Sequence, residues 1–89
     1  MFSVRWASSA LGELATFWTD ADSAGRQSIS RAVGEIDSIL RSDPESAGES
    51  RGELQRILLI LPLGVMFEVE PLDRTVRVMK VLRFRRRNA

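Results

Sequence analysis

The chain has 89 residues, 44% of them hydrophobic and 28% charged, with a formal net charge of +1; that is room for one domain of ordinary globular composition, too apolar for intrinsic disorder. It contains no cysteine, histidine or tyrosine, which excludes disulfides, thiolate metal sites and the usual neutral-pH acid/base, so no metal and no cofactor is expected and the chemical inventory reduces to carboxylates, Lys80, arginines, serines and backbone groups. The small net charge hides a dipole: eight basic against twelve acidic residues leave −4 up to residue 79, and the last ten residues carry five basic and no acidic ones, +5.

Phe2, Val4 and Trp6 alternate with Ser3, Arg5 and Ala7, which predicts a strand over residues 2–7 with one buried face. Ser8 or Ser9 can cap a following helix, whose apolar residues Leu11, Leu14, Ala15 and Trp18 fall at i, i+3, i+4 and i+7 and predict a stripe packed on the sheet. After a polar break at residues 19–23, Ile29, Val33, Ile36 and Leu40, widened by Ala32 and Ile39, predict a second helix that stops at Ser42-Asp43-Pro44. Residues 9–41 thus read as a two-helix hairpin, and residues 42–54, polar and aperiodic, as a loop.

From Gln55 the texture becomes β. Arg56 to Leu61 is an apolar run, Pro62-Leu63-Gly64 a turn, Val65, Phe67 and Val69 alternate with Met66, Glu68 and Glu70, Pro71 to Arg74 reverses the chain, and Thr75 to Phe84 is rich in β-branched residues. Residues 55–85 therefore read as a three-stranded antiparallel meander and 86–89 as a basic tail. The fold class is α+β in the order β-α-α-β-β-β, the first strand joining the meander in one twisted sheet under the helices. Glu68 and Glu70 are expected to pair with Arg77 or Lys80 across the last hairpin. The longest apolar run, Ile57 to Leu63, falls far short of the roughly 20 residues of a membrane span. The start of the sequence lacks the basic, apolar and small-residue regions of a signal peptide, so no membrane partner and a cytoplasmic location are expected.

The cationic end, Lys80, Arg83, Arg85, Arg86 and Arg87 around Phe84, reads as a nucleic-acid-binding or partner-binding patch. Alternation would send Arg83, Arg85 and Arg87 to one face, with Phe84 and Arg86 on the other. Arg56 is the further basic candidate on the strands. Trp6 and Trp18 lie in phase with their apolar stripes and read as core.

This order of elements, with VRWASSALGELATFW at the start, the Gly48-Glu49-Ser50 loop and RILLILPLGVMFEVEPLDRTVRVMKVLRFR over residues 56–85, resembles the RelE/ParE superfamily of bacterial toxins from type II toxin–antitoxin systems. The resemblance implies a small cytoplasmic toxin encoded with a cognate antitoxin, in modules associated with plasmid stabilisation. It implies growth inhibition either by ribosome-associated mRNA cleavage or at another target of such toxins. The alternative is a non-enzymatic binding module: a DNA gyrase inhibitor, or an inert relative that binds only its antitoxin. In the RNA-cleaving branch the terminal catalytic arginine corresponds to Arg83 or Arg85, which would hold the scissile phosphate and stabilise its transition state. Gln55, Ile57 and Gly64 stand where that branch places basic strand residues, its tyrosine or histidine has no counterpart, and Arg56 is one residue out of phase and so expected on the opposite sheet face.

Overall fold

Asp22 starts the longer of two helices by accepting a hydrogen bond from Gly25 N–H at 2.7 Å. The computed structural model describes residues 1–85. Its elements are β1 (Ser3–Trp6), α1 (Ser8–Asp20), α2 (Ser23–Ser42), β2 (Glu49–Ser50), β3 (Gln55–Ile60), β4 (Leu63–Glu70) and β5 (Thr75–Arg83). Along α2 the residues Ile29, Ala32, Ile36 and Leu40 are buried, one stripe at helical spacing. An Arg41–Asp37 ion pair at 2.7 Å and the Asp43-Pro44 sequence close the helix. No helix among the described residues is long and apolar enough to cross a membrane.

The strands form one sheet in the order β1-β5-β4-β3-β2. β1 joins the meander by pairing in parallel with β5, Ser3 opposite Thr75 and Trp6 opposite Val78, and all other pairings are antiparallel. The expected loop over residues 42–54 differs in one respect. Glu49 and Ser50 form a short fifth strand against Ile57 and Arg56. Gly48 makes this possible at φ +64°, a conformation glycine adopts without penalty, and a Cβ there would collide with the Ile57 carbonyl oxygen.

Both helices cover one sheet face, α1 over β5 and α2 over β1, β3 and β4. The core lies between: Leu63, Val65 and Phe67 of β4 and Val76 and Val78 of β5 are wholly buried, against Ile29, Ile36 and Leu40 of α2 and Ala10 of α1. A register shift between Met66 and Phe67 leaves Met79 as an extra residue in β5, so that Val81, like Val78, stays in the core on the far side of the bulge.

Candidate functional site

α1 carries two apolar stripes. Ala10, Phe17 and the adjoining Ala21 face the core, while Leu11, Ala15 and Trp18 turn outward beside α2. Between the helices lies an open groove of about 480 Å³ lined by Leu11, Leu14, Ala15 and Trp18 of α1 and Ile29 and Val33 of α2. Leu11 is 51% and Trp18 41% exposed. Trp18 therefore does not pack on the sheet as its stripe suggested. The core needs only the narrower Ala10–Phe17–Ala21 line, which leaves the other stripe free. Arg26 holds the indole from one side, 5.6 Å from its centroid, and donates through Nε to Trp18 O at 2.9 Å, closing the C-terminal end of α1. A concave, apolar, partly preformed surface of this kind accommodates the apolar face of an amphipathic helix.

The opposite, open sheet face is read from the register in rows. Leu59, Gly64 and Leu82 make one, Ile57, Met66 and Lys80 the next, and Gln55, Glu68 and Arg77 a third, with Arg5 beside Arg77. Gln55, Ile57 and Gly64, which stand in for basic residues, do lie on this face. The middle of the face is apolar. Among the described residues no ion pair joins Glu68 or Glu70 to Arg77 or Lys80, contrary to expectation. Lys80 is drawn instead to Glu13 of α1, 3.3 Å away.

The other sequence candidates separate. Arg56 pairs with Phe67 on the helix-covered face, as its phase suggested, and donates to Ala47 O at 2.8 Å and Gly48 O at 3.2 Å, so it tethers the loop before β2. Arg83 is opposite Leu63 and also turns to the helix side, where a Cβ on Gly25 would lie 3.7 Å from its Nη2. Its Nη1 is buried without a hydrogen-bond partner among the described residues. β5 ends at Arg83, so strict alternation stops there. Phe84 packs over Gly64, and Arg85 stands beside α2 near Arg31. Arg83 and Arg85 are thus not brought together on the open face. Arg86 and Arg87 lie outside the described residues.

Glu13 reaches from α1 to the edge of β5. Its Oε1 accepts from Val81 N–H at 2.9 Å, which lowers its pKa below the ordinary carboxylate value; partial burial opposes this and the Lys80 ammonium adds to it. The arrangement is structural, joining α1 to β5. The residues that sequence reasoning missed are Leu11, Ala15 and Trp18 as a surface rather than as core, and Arg31, Leu59 and Leu61. The competing Ala10–Phe17 stripe was the available signal for the first three.

No protein-family model and no curated protein matches the sequence. Solved structures do. The chromosomal ParDE toxin–antitoxin system of P. aeruginosa contains a chain that matches with TM-score 0.76 at 16% identity, over 96% of this chain and 98% of that one. A chain of the RelBE2 toxin–antitoxin complex of Mycobacterium tuberculosis matches with TM-score 0.75 at 13% identity, over 92% and 90%. The isolated RelE toxin of E. coli matches with TM-score 0.65 at 18% identity, over 99% and 89%. At these identities the likeness establishes the fold, and this chain has the RelE/ParE architecture.

Proposed function

We propose that this chain is the toxin of a type II toxin–antitoxin module, and that it acts by engaging a protein target rather than by cutting mRNA. The fold shared with toxins of ParDE and RelBE systems supports the first part. In the same reading the exposed groove between α1 and α2 receives the apolar face of an antitoxin helix. Burial of Leu11 and Trp18 by that helix is then the main source of affinity, since well-packed aromatic anchors dominate such interfaces.

The observation that carries the second part is the composition of the open sheet face. Phosphoryl transfer needs cations fixed around the scissile phosphate and groups to move protons. The middle of the face holds Leu59, Gly64, Leu82, Ile57 and Met66; its cations stand elsewhere, Lys80 tied to Glu13 and Arg5 and Arg77 in the row of Glu68, while the sequence has no histidine or tyrosine and Arg83 turns to the helix side. The test is induced expression without an antitoxin, with growth, plasmid supercoiling and transcript integrity followed together. Slowed growth with altered supercoiling and intact transcripts is expected. Slowed growth with cleaved transcripts would overturn the second part, and normal growth at high soluble expression would overturn the first.

A further inference from the structure

The end of the sheet where β5 leaves it carries a second cluster of exposed apolar side chains. Leu61, in the turn joining β3 to β4, is 72% exposed, Leu59 54% and Phe84 42%. They are held in place. Phe84 N–H donates to Pro62 O at 2.7 Å, and its ring and Leu59 both pack over Gly64, where a Cβ would come within 2.8 Å of each. Between this corner and α2 runs a cleft of about 440 Å³, floored by Ala32, Leu61, Pro62 and Phe84 and flanked by Arg31 and Arg85. The ion pairs among the described residues engage Arg41, Arg51 and Lys80, and none engages Arg31 or Arg85.

We propose that this cleft is a docking site for an extended segment of a partner protein in which apolar side chains alternate with carboxylates. The apolar floor favours aliphatic or aromatic side chains, because exposed clusters of this kind gain from being covered. The Arg31 and Arg85 guanidinium groups, unengaged among the described residues, match carboxylates, which they bind with both arms of the fork. An extended segment repeats every second residue, about 6.8 Å, so one set of side chains meets the floor while the other reaches the arginines. A nucleic-acid strand fits less well: it brings a phosphate with every nucleotide, and two cations do not make a track for it, whereas they suffice for a segment with a carboxylate at every second residue. The cleft lies on the flank of α2 formed by Ser28, Ala32 and Glu35, and the hairpin groove on the flank formed by Ile29, Ser30 and Val33. The two sites therefore share no lining residue, and the proposal holds whether or not the chain is a toxin.

The test titrates the isotope-labelled chain with three probes: a hexapeptide alternating leucine and glutamate, its leucine–glutamine counterpart, and hexauridylate. Saturable amide shifts are expected with the acidic peptide at Ser28, Ala32, Leu61 and Phe84, and not at Leu11 or Trp18. The glutamine peptide, and the acidic peptide on an Arg31→Gln/Arg85→Gln variant, are expected to bind about fivefold more weakly, as removal of two exposed ion pairs implies. Both arginines are on the surface, so the variant should keep its fold, checked by its unchanged shifts elsewhere. Equal affinity for the two peptides, no saturable shift at these residues at millimolar peptide, or tighter binding of hexauridylate there would each overturn the proposal.

Discussion

The carboxylate of Glu13 in α1 accepts the backbone N–H of Val81 in β5 at 2.9 Å, across 68 residues of sequence. β1 ends opposite Val78, so the strand edge beyond that point has no neighbouring strand to satisfy it. A side chain of the helix above does so. The same carboxylate holds Lys80, which takes that cation off the open face.

Replacing Glu13 with Ala should cost about 1 kcal/mol of stability at neutral pH, the net worth of one partly exposed hydrogen bond to a charged group. Glu13→Gln should cost less, because the amide oxygen can still accept. The folded pKa of Glu13 is lowered, so its ionic contribution is present above the unfolded carboxylate value and is lost as pH falls through the folded one. Urea unfolding at neutral pH and at about pH 3 should show the gap between wild type and Glu13→Gln closing in acid.

Trp18→Ala and Ile36→Ala should behave oppositely. Ile36 is wholly buried, and its truncation should cost about 2–5 kcal/mol. Trp18 is 41% exposed and held on one side by Arg26, so its loss should cost at most about 1.5 kcal/mol in denaturant while weakening antitoxin binding at least tenfold. If Trp18→Ala unfolds the chain as readily as Ile36→Ala, the groove is core rather than surface.

Gly48→Ala should destabilise by more than 1 kcal/mol, since a positive φ and a collision with the Ile57 carbonyl coincide there. Gly12→Ala, in the interior of α1 with open space around it, should stabilise by up to about 1 kcal/mol. Thermal unfolding of the two variants separates them by sign.

Arg83→Met should be neutral or stabilising. Its Nη1 is buried with no hydrogen-bond partner among the described residues, and replacing such a cation by an apolar side chain of similar length removes a desolvation cost. A loss above about 2 kcal/mol would mean that the guanidinium has a partner worth that much.

The strands were legible because Val65, Phe67 and Val69 alternate and Thr75 to Phe84 is rich in β-branched residues, and α2 because its stripe is single and its stop unambiguous. The site was less so. On α1 two stripes share 13 residues, and periodicity cannot say which one the sheet covers; Leu14 borders both. At the basic end the expected alternation assumed an unbroken strand. The bulge at Met79 and the end of β5 at Arg83 reset the phase, and neither leaves a mark in composition. β2 was invisible because two residues, Glu49 and Ser50, owe their pairing to the turn at Gly48 and to Arg56 rather than to any pattern of their own.

The most direct measurement is the mapping of messenger RNA 5′ ends in cells after the chain is induced without an antitoxin. Because the middle of the open face presents Leu59, Ile57 and Met66, with its cations Lys80, Arg77 and Arg5 set on β5 and β1 instead, transcript ends should match those of uninduced cells while growth slows. New ends phased with codons, vanishing when ribosomes are depleted, would contradict the reading that this chain acts by binding protein.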